Sequence, residues 1–185
     1  AAGSVYTAAA TDVDAGATLT YSISGADAAL FNIDATTGVV TFKSSPNYEA
    51  PGDAGGNNVY DITVGASDGT VTTTKDVAIS VTNINEGPVF TSATTASFAE
   101  TASGAAYTAA ATDPDAGAVL TYSISGADAA LFDIDPATGA VTFKSAPNYE
   151  APGDAGGNNV YDVNVTVSDG TNTATQAVAI SVTDT

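Results

Sequence analysis

Apolar and polar residues alternate along much of this chain. In residues 19–23, Leu19, Tyr21 and Ile23 are separated by threonine and serine, and residues 60–66 and 77–81 follow the same pattern. A period of two places successive side chains on opposite faces of a strand. We therefore predict strands with one buried face, and the many Thr, Val and Tyr residues favour strands over helices.

Turn signals divide these segments into hairpins. The apolar residues of 31–33 and 39–42 flank Asp-Ala-Thr-Thr-Gly at 34–38, and Asp68-Gly69 lies between two long alternating segments. The alanines of 8–10 are interpreted as an edge strand. Six or seven short strands in about 100 residues predict an all-β fold, an antiparallel β-sandwich.

The sequence also repeats itself with a period of 101 residues. Aligning residues 1–84 with 102–185 gives 64 identities in 84 positions without a gap. Solenoid units have periods of about 20–50 residues, so this repeat is a whole domain copied in tandem. We predict a first domain at 1–84, a linker at 85–88 and a second domain at 89–185.

The two copies are not equally complete. Residues 85–101 have no counterpart before Ala1, and they contain a further strand candidate at 89–98. The first copy is therefore expected to lack its N-terminal strand and to expose a sheet edge. Because the chain also contains no methionine, we interpret it as part of a longer protein.

Composition excludes several classes of function. The chain has 3 Lys and no Arg, against 17 Asp and 4 Glu, for a net charge of −18. Binding of nucleic acid or of anionic membrane surfaces needs positive side chains, so neither is expected. The sequence has no apolar segment of about 20 residues, so membrane insertion is not expected. Repulsion among so many negative side chains destabilises a compact fold unless cations neutralise them.

The acidic residues gather at predicted strand ends. Each copy has three such clusters and the junction has a fourth; in and after the first copy they are Asp12/Asp14, Asn47/Glu49, Asp68 and Asn83/Asn85/Glu86. Calcium takes about 6–8 oxygen ligands from such side chains. The alternative is that they are solvated turn residues, which Asp and Asn favour. An EF-hand does not fit, because its fifth and twelfth positions counted from Asp12 are Gly16 and Ile23.

These motifs, in this order, resemble those of cadherin repeats. The similar segments are Asp12-x-Asp14, Asn47-Tyr48-Glu49, Ala66-Ser67-Asp68-Gly69 and Asn83-Ile84-Asn85-Glu86-Gly87-Pro88. The motifs also resemble those of bacterial cadherin-like repeats of large secreted adhesins. The resemblance implies two tandem Greek-key, Ig-like sandwiches with calcium as the ion, outside the cell or at its surface. Asn47 and Asn83 stand where the family usually has Asp, which lowers the charge of the site.

The resemblance also assigns ligands to each end of a domain. It implies one complete site at the central junction, formed by Asn47, Glu49, Asn85, Glu86, Asp113, Asp115 and Asp169. It implies outer half-sites that face neighbouring repeats, formed by Asp12, Asp14, Asp68, Glu100, Asn148, Glu150 and Asp184. The function expected from it is a calcium-rigidified spacer or adhesive rod whose first partners are the neighbouring repeats of the same chain.

Alternative functions remain open on the sequence alone. Tyr48, Tyr60, Tyr149 and Tyr161 could offer stacking faces to a polysaccharide, and the exposed edge of the first copy could accept a donated strand in a filament or another self-association. Internal isopeptide bonds from Lys43 or Lys144 are a weaker alternative. An enzyme is not expected, because the chain has no Arg, His or Trp to build a substrate cleft.

Overall fold

Strands supply most of the regular structure of residues 3–14 and 16–185, the part of the chain that this computed structural model describes. The chain divides into two compact units, residues 1–84 and residues 85–185. Two single-turn 3-10 helices, Ala28–Leu30 and Ala129–Leu131, occupy equivalent places in them. Within the described residues, no helix has the length and apolar character needed to cross a membrane.

The first unit contains two three-stranded antiparallel sheets. Its strands are β1 (Ser4–Thr7), β2 (Thr20–Ser24), β3 (Phe31–Ile33), β4 (Val39–Phe42), β5 (Val59–Ser67) and β6 (Thr72–Ser80). One sheet has the order β1-β4-β3 and the other β2-β5-β6. The hairpins predicted around residues 34–38 and at Asp68-Gly69 are the β3–β4 and β5–β6 pairs.

The second unit repeats this arrangement and adds strands at its beginning. Its strands are β7 (Val89–Phe90), β8 (Thr95–Ala99), β9 (Tyr107–Thr108), β10 (Ala111–Thr112), β11 (Thr121–Ser125), β12 (Phe132–Ile134), β13 (Ala140–Phe143), β14 (Val160–Ser168) and β15 (Thr173–Thr183). The sheets have the orders β11-β14-β15-β8 and β12-β13-β9, and β7 pairs with β10. The predicted linker, residues 85–88, lies within this unit.

The inward faces of the two sheets form a separate core in each unit. In the second unit Phe132 and Val141 of one sheet pack with Tyr161, Val165 and Ile180 of the other. In the first unit the corresponding Phe31, Phe42 and Tyr60 form an aromatic cluster, again with apolar residues of β5 and β6. The prediction of an all-β sandwich is confirmed.

Two details of the strand prediction are wrong. Residues 8–10 are not a strand; Ala8 is buried, and its N–H donates to the Gly38 carbonyl at 2.9 Å. Gly38 has φ 71°, and a Cβ there would lie 2.6 Å from the Ala8 oxygen, so this close turn needs glycine. The single strand expected over 89–98 is two strands, β7 and β8, with different partners.

The extra strand β8 covers a sheet edge that stays open in the first unit. In the second unit β8 runs parallel to β15, from Thr95 opposite Ala179 to Ala99 opposite Thr183. In the first unit β6 is the terminal strand of its sheet, judged over residues 3–14 and 16–84. Among those residues the first copy has no strand equivalent to β8, as predicted.

Candidate functional site

Two loops and the 85–88 segment meet at one end of the second unit. Asp113 and Asp115 follow β10, and Asp169 follows β14 in the turn that leads to β15. Because Ser168 of β14 pairs with Thr121 of β11, both loops lie at the same end of the sandwich. Topology thus gathers side chains that are more than 50 residues apart in sequence.

The Asp113-x-Asp115 motif folds back on itself. The Asp115 N–H donates to Asp113 Oδ1 at 2.9 Å, an arrangement that Asp adopts readily in turns. Asp113 Oδ2 is buried and has no hydrogen-bond partner. A buried carboxylate oxygen without a donor is costly, and a cation beside it removes that cost.

Asp169 is held by its own turn. Its Oδ1 accepts the amides of Thr171 and Asn172, both at 2.6 Å, and its Oδ2 accepts the Asn85 side-chain amide at 2.7 Å. The backbone amide of Thr171, followed by that of Asn172, holds the pKa of Asp169 below its ordinary value. Asp169 is therefore charged at neutral pH.

The segment before β7 contributes the remaining groups. Glu86 donates its N–H to Asp115 Oδ2 at 2.9 Å, and carboxylate oxygens of Glu86 and Asp115 lie within 4.8 Å of each other. Asn172 donates to the carbonyls of Asn85 and Glu86, both at 3.0 Å. The structure therefore brings Asn85, Glu86, Asp113, Asp115 and Asp169 together within this unit.

A second acidic group lies at the opposite end of the same unit. Carboxylate oxygens of Glu100, Glu150 and Asp184 are within 4.8 Å of one another. The parallel pairing of β8 with β15 places Glu100 beside the end of β15, where its N–H donates to Thr183 O at 3.1 Å. Glu100 Oε2 also accepts the Tyr149 amide at 2.8 Å.

Asn148 belongs to this group through its neighbour, because its Oδ1 accepts the Glu150 amide at 2.9 Å. The four residues expected at this outer half-site, Glu100, Asn148, Glu150 and Asp184, therefore lie together. Like charges at such distances repel one another in the absence of a counter-ion.

The first unit has the same local geometry at its own clusters. The Asp14 N–H donates to Asp12 Oδ1 at 2.8 Å, and the Glu49 N–H donates to Asn47 Oδ1 at 2.9 Å. Asp68 Oδ1 accepts the amides of Val71 and Thr70, both at 2.7 Å. These amides, with that of Val71 the largest contributor, lower the pKa of Asp68.

The donor set fits a hard cation. It consists of carboxylate and amide oxygens alone, and the chain has no His or Cys to supply the nitrogen or sulfur ligands of zinc. The lysines have partners elsewhere. Lys43 and Lys144 donate to the carbonyls of Ala29 and Ala130, Lys144 Nζ also lies 3.8 Å from Asp133 Oδ1, and Lys75 lies 6.0 Å from the Tyr6 ring centroid.

The structure changes the list of candidate tyrosines. Tyr60 and Tyr161 are buried in the two cores, where their hydroxyls accept the amides of Gly52 and Gly153 at 3.2 Å. Their rings cannot stack on a polysaccharide. Tyr48 and Tyr149 remain exposed, at 40% and 39%.

Sequence reasoning missed Asn172 and four buried aspartates, Asp27, Asp53, Asp128 and Asp154. In the sequence, Asn172 stands out only because the first copy has Val71 at the equivalent position. The buried aspartates are structural: Asp128, for example, accepts the amides of Ala155 and Asp162, both at 2.7 Å.

Comparisons with known proteins identify the fold. No protein-family model matches the chain, and no curated protein matches its sequence. Solved structures of cadherin extracellular domains do match. Human protocadherin-24 EC1-2 is 25% identical with a TM-score of 0.65, over 96% of this chain and 87% of that one. Mouse cadherin-23 EC22-24 is 24% identical with a TM-score of 0.61, over 100% of this chain and 59% of that one.

Drosophila N-cadherin EC1-4 is 22% identical with a TM-score of 0.62, over 92% of this chain and 42% of that one. The structural neighbours are thus cadherin extracellular domains from different animals. The chain has a cadherin-like β-sandwich fold.

Proposed function

We propose that this chain is a pair of extracellular, adhesion-type repeats that bind calcium and use it to stiffen a spacer or adhesive rod. The observation that carries the proposal is the convergence of Glu86, Asp115 and Asp169 with the buried, unpartnered Asp113 Oδ2. The cadherin extracellular domains that share the fold support an adhesion-type role outside the cell.

Calcium is the cation that best suits these ligands. It accepts irregular sets of about 6–8 oxygens, whereas magnesium needs near-ideal octahedral geometry. When bound, the ion supplies the positive charge that offsets repulsion between the carboxylates. Modules of this kind bind calcium at roughly 10⁻⁴–10⁻³ M, which suits an extracellular medium.

The proposed central site also includes residues of the first unit. The resemblance to cadherin repeats implies that Asn47 and Glu49 join it, together with Asn85, Glu86, Asp113, Asp115 and Asp169. The remaining clusters are proposed as half-sites completed by neighbouring repeats: Asp12, Asp14 and Asp68 for one, and Glu100, Asn148, Glu150 and Asp184 for the other. A shared ion of this kind would replace a flexible connection with a stiff one.

The test is calcium-dependent stability. If calcium binds at about 10⁻⁴–10⁻³ M, then 10 mM calcium stabilises the second unit by about 1–3 kcal/mol relative to EDTA. This corresponds to a rise in melting temperature of roughly 5–15 °C. Asp113→Asn with Asp115→Asn should remove most of the rise, measured by calorimetry. Asp133→Asn is the control, since its side chain is 70% exposed.

A separate variant tests whether Glu49 is a calcium ligand. Glu49→Gln should weaken calcium binding in a titration calorimeter, because one carboxylate ligand becomes a neutral amide. An unchanged isotherm would remove Glu49 from the site. Equal stabilisation of the wild type and of the Asp113/Asp115 double variant by calcium would sink the proposal as a whole.

A further inference from the structure

Asn172 fastens the segment before β7 to the body of the second unit. Its side-chain amide donates to two consecutive backbone carbonyls, those of Asn85 and Glu86, each at 3.0 Å. A carboxamide Nδ2 carries two donors, so one side chain can fix both peptide units. These carbonyls belong to residues without regular secondary structure.

Three further contacts hold the same segment. Asn85 Nδ2 donates to Asp169 Oδ2 at 2.7 Å, and the Glu86 N–H donates to Asp115 Oδ2 at 2.9 Å. Gly87 lies so close to Asn172 that a Cβ on it would be 3.3 Å from the Asn172 Cβ. Pro88 is buried, and β7 begins immediately after it.

The donors in these contacts are neutral amides. They satisfy oxygens of Asp115 and Asp169 and two backbone carbonyls without any positive side chain. Hydrogen bonds to charged acceptors are stronger than those between neutral groups. The segment is therefore held by the protein's own groups.

The first copy shows that Asn172 is not needed for the turn in which it lies. The equivalent residue is Val71, and the same turn forms there: Asp68 N–H donates to Val71 O at 3.3 Å, as Asp169 N–H does to Asn172 O at 3.3 Å. Valine has no side-chain donor. The two copies thus differ at this place in a way that the turn does not explain.

We propose that Asn172 is a positioning residue that keeps Asn85 and Glu86 docked on the second unit when no cation is bound. It acts through those two residues and is not itself a ligand. The docked segment then presents Glu86 beside Asp115 in advance. A preorganised site loses less conformational entropy on binding. A repeat with valine here, as in the first copy, holds a preceding segment less firmly.

The docking is tested without metal, and its use in calcium binding rests on the function proposed above. The experiment is ¹⁵N relaxation of the full 185-residue chain in EDTA. In the wild type the amides of Asn85, Glu86 and Gly87 should have order parameters of about 0.85, like the strands. In Asn172→Val they should fall below about 0.6 while β14 and β15 stay unchanged.

Two controls separate the side-chain contacts from the turn. Thr171→Ala should leave the three order parameters unchanged, and Val71→Asn should have no effect on residues 85–87. Asn172→Val places in the second copy the residue that the first copy has in the same turn, so the variant is expected to fold. Unchanged order at residues 85–87 in Asn172→Val would overturn the role of Asn172, and disorder there in the wild type would overturn the docking.

A calcium titration of the same two proteins distinguishes this inference from the proposed function. Loss of two hydrogen bonds of about 1 kcal/mol each predicts calcium affinity lower by roughly tenfold or more in Asn172→Val. Equal affinity would overturn the preorganising role. No binding in a wild type whose segment is ordered would refute the calcium proposal and leave the docking intact.

Discussion

At the scale of single residues, the aspartates fall into two groups with different hydrogen-bond partners. Asp128 is buried, and both of its oxygens accept backbone amides, from Ala155 and Asp162. Asp113 lies at a loop and has one oxygen with no partner. In the first kind of carboxylate both oxygens have hydrogen-bond donors without a cation. In the second kind one oxygen has none.

This difference predicts opposite responses to mutation. Asp128→Ala leaves two amides without their acceptor and should lower the free energy of unfolding of the second unit by about 2–4 kcal/mol, in EDTA and in calcium alike. Urea denaturation measures this loss. Asp133→Ala, at an exposed position, should change stability by less than about 0.5 kcal/mol. A loss for Asp128→Ala no larger than for Asp133→Ala would show that the buried carboxylate is dispensable.

Sequence spacing identified one of these groups and not the other. Asp-x-Asp and Ser-Asp-Gly are short motifs, so the loops at Asp113 and Asp169 could be found by eye. Asp128 bonds to amides 27 and 34 residues further along the chain, at Ala155 and Asp162. No local pattern shows such contacts, and the same holds for Asn172, whose partners lie 86 and 87 residues away.

At the scale of elements, the two copies differ most at the edge of one sheet. In the second unit Gln176 of β15 donates to the carbonyls of Ser92 and Ala93, in the segment that leads to β8. The first unit has Lys75 and Asp76 where the second has Gln176 and Ala177. Charged side chains on an open edge discourage pairing with other chains.

Removing those charges should therefore promote self-association. Lys75→Gln with Asp76→Ala introduces the second copy's residues and leaves the net charge at −18. Light scattering after size exclusion should show mass above the 18.1 kDa of one chain, at concentrations where the wild type is monomeric. Thr73→Ala, also a residue of the second copy, is the uncharged control. A double variant that stays as monomeric as this control would refute the protective role of the two charges.

Alternation along the chain was enough to predict most strands, because each has one buried face. It could not predict that residues 89–98 form two strands, of which β7 pairs with β10 and β8 with β15. That division depends on β8 pairing in parallel with β15, more than 80 residues away. Nor could it show that β1 ends before Ala8. The Ala8 N–H donates instead to the carbonyl of Gly38, in the turn between β3 and β4.

At the scale of the whole molecule, negative charge is the leading feature. A chain with 3 Lys and 21 acidic residues concentrates carboxylates at the ends of its units instead of pairing them with lysine. Like charges at these ends repel one another, and in the function proposed above calcium offsets that repulsion. We propose that calcium stiffens the tandem, as set out under the proposed function.

Small-angle X-ray scattering of the 185-residue chain in 10 mM calcium and in EDTA tests this claim most directly. We expect one well-defined maximum dimension in calcium and a broader, more compact distribution in EDTA. Asp113→Asn with Asp115→Asn should resemble the EDTA state under both conditions. Identical scattering profiles of the wild type with and without calcium would contradict the account.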